Sequence, residues 1–143
     1  MASTTDWLEV AELLTGFAHL ATVRPDGMPH VAKVSPALDG DVLWLATRSS
    51  SRKARNLVAH PHAALMFEPS AEVYVRADAE MVHDLATKER VWDSGLFPFP
   101  LAMFFGTFDD PDFLLVRLTP VSAIVMRQGT GGVTRDVWER TPG

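Results

Sequence analysis

From Val73 to Met81 the chain alternates without exception, with Val73, Val75, Ala77, Ala79 and Met81 on one side and Tyr74, Arg76, Asp78 and Glu80 on the other. Successive side chains of a strand point to opposite faces, so a period of two over nine residues specifies a half-buried β-strand. The neighbouring segments are also strand-like and are joined by tight turns. "FAHLATV", Phe17 to Val23, runs into Arg24-Pro25-Asp26-Gly27, which suits a type I turn with Pro second and Gly fourth. Met28 to Leu38 then returns as the other arm of a hairpin. After Asp39-Gly40-Asp41 comes "VLWLAT", Val42 to Thr47, whose unbroken apolar character predicts a strand covered on both faces. "AALMF", Ala63 to Phe67, ends at Glu68-Pro69-Ser70. "LLVRLTPVSAIVM", Leu114 to Met126, is a long strand in which Pro120 requires a bulge or an edge position.

Helical signals are few. Trp7, Val10, Ala11 and Leu14 recur at helical spacing with Thr5 or Asp6 as cap, so residues 1–16 read as an N-terminal helical segment that Gly16 ends. Asp84 caps a helix to about Trp92, stopped by Asp93-Ser94-Gly95. "GLFPFPLAMFFG", from Gly95, reads as an ordered loop or edge segment. The tail over residues 127–143, rich in Gly, Thr and charge, is expected to be loosely held. A parallel doubly wound sheet needs a helix between successive strands, and only two connections here have one. The expectation is a mainly β fold with peripheral helices, a six-stranded antiparallel barrel forming one domain over residues 1–143.

Composition narrows the function classes. The chain has no cysteine, which removes disulfides, thiol catalysis and Cys-based metal sites. A formal charge of -5 argues against general nucleic-acid binding, which depends on a broad basic surface. No apolar run reaches the ~18 residues of a membrane span, and "MASTTDWLEV" lacks the charged and apolar regions of a secretory signal. No membrane or nucleic-acid partner is therefore expected, and the cytoplasm is the default location.

Against this acidic background, "ATRSSSRKARNL", Ala46 to Leu57, carries Arg48, Arg52, Lys53 and Arg55, and no acid occurs between Val42 and Phe67. Ala54, Leu57 and Val58 fall at i, i+3 and i+4, and Ser49 to Ser51 are candidate caps, so a helix begins near Ser51. Cations in a first turn oppose the helix macrodipole by about 0.3–1 kcal/mol each unless an anion joins them. A phosphate would satisfy free backbone N–H groups, hydroxyls and guanidinium together.

"GMPHVAKV", "LWLATRSSSRKARNL" and "HPHAALMF", in that order and spacing, resemble the FMN-binding split-barrel superfamily that includes pyridoxamine 5′-phosphate oxidase. "ERVWDSG" followed by "FFGTFDDPDFLLVRLTPVSAIVM" is similar to its general stress protein 26 branch. The resemblance implies a split barrel, noncovalent FMN (or a deazaflavin held by the same phosphate site), an oxidoreductase activity with a non-catalytic flavin-binding protein as the alternative, and a homodimer with cofactor sites at the interface. It also implies that Thr47, Ser51, Arg52 and Lys53 hold the flavin phosphate while Lys33, Val34 and Ser35 flank the ring. Where the family's oxidase carries an Arg and a Lys, this chain has Ala32 and Ala37, and Lys33 sits one residue from the lost Arg on the opposite strand face. No catalytic residue stands out.

Other features have plainer readings. His60 and His62 flank a proline, too few ligands for zinc, and read as a turn. Asp109 to Asp112, "DDPD", lacks a calcium-loop pattern and reads as a turn or cap. His30 reads as a structural strand residue. Trp92, Phe104 and Phe105 are expected in the core or a subunit interface, with contact to the flavin ring as the alternative.

Overall fold

The computed structural model describes residues Ser3 to Pro142. Met1, Ala2 and Gly143, the extremities of the expected N-terminal helix and of the expected tail, lie outside the described residues. The elements are β1 (Ser3–Thr4), α1 (Trp7–Glu12), β2 (Ala18–Val23), β3 (Pro29–Val34), β4 (Ala37–Asp39), β5 (Val42–Arg48), α2 (Arg52–Ala59), β6 (His62–Phe67), β7 (Glu72–Val82), α3 (Leu85–Asp93), β8 (Phe113–Gly129) and β9 (Gly132–Glu139), with a 3-10 turn at Leu101–Met103. The fold is the mainly β split barrel anticipated. Its strands follow the order β1-β9-β8-β7-β6-β2-β3, with β5 joining β4 to β8. Every pairing is antiparallel except the short parallel contact of β1 with β9. Hydrogen bonds do not close the sheet, because β3 and β4 are joined by the chain through Ser35 and Pro36 rather than by a ladder.

Local chemistry explains the turns and caps. Gly27, at φ 90°, donates its N–H to the Arg24 carbonyl at 2.8 Å and turns β2 into β3. Asp6 accepts from the Glu9 N–H, Ser51 from Ala54 and Asp84 from Thr87, so each helix begins on a side-chain cap. Of the bulge or edge position expected at Pro120, the structure has a bulge: Arg76 faces Ser122 and Ala77 faces Pro120, leaving Val121 as the extra residue of β8.

Three strands exceed the six expected. The arm read as continuous from Met28 to Leu38 breaks at Ser35-Pro36, where proline has no N–H for a ladder. The N-terminal helix is confined to Trp7–Glu12, and β1 precedes it. The loosely held tail is a correction: β8 continues to Gly129, and β9 returns along it from Ser122↔Glu139 to Gly129↔Gly132. A glycine at φ 111°, Gly132, makes that hairpin possible, and the β-branched residues of "VTRDVWE" suit a strand. Trp138 packs against Trp7 with centroids 4.8 Å apart. Arg140 donates to the Pro120 carbonyl at 2.7 Å and to Asp41 at 2.9 Å.

β5 is buried on both faces, as its sequence predicted. Leu43 and Leu45 enter the barrel core with Leu20, Leu57, Phe67 and Leu118. Trp44 enters a second cluster beneath α3 with Val91, Phe97, Phe105 and Phe113. The tail's anchorage can be tested by Trp138→Ala, which removes the ring stacked on Trp7. Urea denaturation should show a loss of at least ~0.5–1.5 kcal/mol, the scale of one aromatic pair; an unchanged midpoint would mean that the tail is not anchored.

Candidate functional site

β5 delivers Thr47 and Arg48 to the start of α2. Thr47 is buried, and its Oγ1 lies 3.0 Å from Ser51 Oγ. Ser51 Oγ also accepts the Ala54 N–H at 3.2 Å, and the Ser51 carbonyl accepts the Arg55 N–H at 3.1 Å. These contacts leave the N–H groups of Arg52 and Lys53 as the outward donors of the first turn. Two hydroxyls that share one hydrogen bond keep one O–H in hand, so either Thr47 or Ser51 can still donate to a ligand.

A cavity of about 580 Å³ opens at this point. Its polar wall includes Thr47, Ser51, Lys53, Lys33 and Ser35, and its apolar wall includes Val34, Leu45, Phe17, Phe99, Phe104 and Phe105. Lys53 is half-buried, and burial holds its pKa below the ordinary lysine value. No carboxylate pairs with Lys53 among the described residues. A desolvated cation beside free N–H donors makes this end of the cavity complementary to an anion.

Six of the seven residues that the sequence nominated line the cavity: Thr47, Ser51, Lys53, Lys33, Val34 and Ser35. Arg52 is half-buried beside Lys53 but is not part of the lining. Lys33 reaches the cavity and Ala32 does not, with the Lys33 ammonium 4.3 Å from the Phe17 ring centroid.

The basic stretch is also less unpaired than its sequence implied. Arg48 is bound by Asp112, 64 residues away, at 2.9 Å. Asp112 also accepts from Ser49 Oγ at 2.9 Å and Ser50 Oγ at 3.4 Å. The Arg48 hydrogen bond, then that of Ser49, holds the Asp112 carboxyl below its ordinary pKa. Asp112 therefore caps the serine turn, the cap being one of the two roles expected of "DDPD". Asp110 supports it by accepting the Asp112 N–H at 2.9 Å.

Sequence reasoning offered Phe104 and Phe105 only as an alternative contact to the ring and missed the aromatic wall that they form with Phe97 and Phe99. Phe97, Phe99 and Phe104 form a chain of ring contacts with centroids 5.6 and 5.3 Å apart, and Phe105 packs on Phe113 at 4.9 Å. Phe105 belongs to the core cluster as expected, but it and Phe104 also face the cavity. The density of Phe and Pro in "GLFPFPLAMFFG" was the available signal. Trp92 packs edge-on against Phe113. His62 pairs with Asp78 at 3.0 Å, and His30 is half-buried and outside the cavity lining. Among the described residues no three His, Asp or Glu side chains converge as metal ligands, and no helix is long and apolar enough to cross a membrane.

Comparisons with known proteins bear on this geometry. The sequence is 42% identical over 69 residues to a pyridoxine/pyridoxamine 5′-phosphate oxidase of Azorhizobium caulinodans, a match covering 46% of this chain and 32% of that protein. The chain thus spans about a third of the curated relative's length. The fold is similar to a general stress protein 26-related protein from Clostridium acetobutylicum, with a TM-score of 0.73 and 22% identity over 92% of both chains. It is similar to an FMN-binding protein of Nostoc punctiforme, related to pyridoxamine 5′-phosphate oxidase, with a TM-score of 0.70 and 18% identity over 94% of this chain and 86% of that one. An F420 reductase aligns with a TM-score of 0.61 and 28% identity over 84% of this chain and 98% of its own. The sequence profile described as pyridoxamine 5′-phosphate oxidase matches residues 9–126, and this chain belongs to that family.

Proposed function

We propose that the cavity is a flavin site and that the protein is an FMN-dependent oxidoreductase with the cofactor phosphate at the start of α2. Lys53 carries this reading. It is a half-buried cation whose pKa burial holds down, placed beside the free N–H groups of α2 and one free hydroxyl of the Thr47–Ser51 pair. An anion there removes the desolvation penalty on the ammonium and satisfies the donors. Arg52, free of ion pairs among the described residues, adds a second positive charge nearby.

Val34 and Ser35 at the end of β3, with Phe17, Phe99, Phe104 and Phe105, line the cavity and offer a flat ring an apolar slot with a polar strand edge. When bound, the flavin supplies the redox chemistry by accepting and passing on a hydride. The chain orients it, shields the slot from water and limits what approaches. Ala32 and Ala37 carry no charge where the family's oxidase has an Arg and a Lys, which favours a second reactant other than that oxidase's own. A deazaflavin is the second reading, because its phosphate suits the same donors and the similar F420 reductase shares 28% identity with this chain.

We also propose that the protein is a homodimer. The outward face of the β2–β3 hairpin exposes Val31 at 64%, Met28 at 59% and, at the entry to β2, Phe17 at 62%. Phe17 and Lys33 also line the cavity. A second copy on this face would cover the apolar patch and complete the cavity rim.

The purified protein should be yellow, show the two-band flavin spectrum and release FMN on denaturation. A colourless protein whose titration with FMN gives no fluorescence quenching would overturn the FMN reading, and deazaflavin titration would then decide the second. Lys53→Ala should weaken FMN binding by about 1.5–3 kcal/mol, the scale of a charge-assisted hydrogen bond; Arg52→Ala should cost less. Bound phosphate should raise the Lys53 pKa, read from its side-chain carbon shift as pH rises, since an adjacent anion favours the charged form. A titration unmoved by FMN would place the phosphate elsewhere. Sedimentation should give a two-chain mass that Val31→Asp reduces to one, and a single-chain wild type would contradict the dimer.

A further inference from the structure

Arg48 borders the cavity without being a free charge in it. Its guanidinium donates to Asp112 at 2.9 Å and to the Phe104 carbonyl at 2.8 Å, and it lies 5.6 Å from the Phe105 ring centroid. Asp112 holds the opposite side of the same junction. Its second carboxylate oxygen takes the Ser49 and Ser50 hydroxyls, and its carbonyl accepts the Ser49 N–H at 3.0 Å. Arg48, held by Asp112, thus ties the turn that presents Ser51 and Lys53 to the segment that presents Phe104 and Phe105 through its hydrogen bond to the Phe104 carbonyl.

We propose that Arg48 and Asp112 are positioning residues for this cavity, fixing the anion-binding turn against the aromatic wall so that both ends of one ligand are gripped at a set spacing. The inference rests on the flavin reading for the ligand used in its test, and it makes a prediction opposite in sign to simple charge arithmetic. Asp112 is a negative charge beside an anion site. By Coulomb's law alone, neutralising it should strengthen anion binding and release Arg48 to help. For a positioning residue the same change loosens the turn and weakens binding.

The experiment measures FMN dissociation constants for the wild type, Asp112→Asn, Arg48→Met and the double variant. Each single change should raise the constant about tenfold, the scale of one charge-assisted hydrogen bond. The double change should cost less than the product of the two single ones, since both break the same pair. The visible circular dichroism of the bound flavin, which reads the groups around the ring, should change in all three, whereas a purely structural loss lowers the melting temperature and leaves that spectrum intact. An Asp112→Asn constant equal to or below the wild type, or single losses that multiply in the double variant, would overturn the proposal. Should these variants fail to fold, Ser49→Ala removes one hydroxyl from Asp112 and should raise the constant about threefold; no change would count equally against it. A wild type that binds no FMN contradicts the flavin reading alone. Inorganic phosphate, followed by the amide signals of Ser51 and Lys53, then carries the same comparison: weaker binding by Asp112→Asn supports the pair's role, and equal or tighter binding overturns it.

Discussion

One strand, β8, serves as the seam of the molecule. Its 17 residues pair with β7 along most of their length, while the other edge is divided between β5 on the first half and β9 on the second. The extra residue at Val121 falls where the division occurs, and a bulge there increases the local twist that lets the two partners diverge. The β5 register then places the site. Arg48 faces Phe113 and Thr47 faces Leu114, so the residue before β8, Asp112, arrives beside the serine turn that leaves β5. A shift of one residue would reverse every side chain of β5 and turn Thr47 away from Ser51.

Electrostatics at that corner is a balance between pairing and burial. Arg48 is neutralised by an exposed carboxylate, and its worth lies in geometry rather than in charge, since exposed pairs contribute little to stability. Lys53 is in the opposite situation, half-buried and without an acid among the described residues. A cation left in that state is unfavourable to the folded chain unless a ligand anion compensates it, which is a common arrangement where binding rather than stability has shaped a site. The first turn of α2 follows the same logic, since its basic residues oppose the dipole until an anion arrives.

Features governed by neighbouring residues were legible in the sequence. Ser51 and Asp84 announce their helices because a cap hydrogen bond spans three residues, and Val73 to Met81 announces its strand because alternation is local. Pro120 announced a bulge or an edge position for the same reason. Features that depend on distant partners were not. The tail's glycines suggested looseness, yet β9 is fixed by a ladder to β8 and by Trp7 at the other end of the chain. Arg48 read as a free cation because its acid lies 64 residues away. The aromatic wall comes from a loop whose residues have no periodicity, so its composition was visible while its orientation toward the cavity was not.

In the proposed complex the start of α2 recognises a phosphate while the rest of the cavity holds a flat ring. Comparing FMN with riboflavin, which differ only in that phosphate, tests it most directly. FMN should bind at least about tenfold more tightly, and rising salt, by screening the charge, should narrow the gap. Equal affinities at low salt would contradict it.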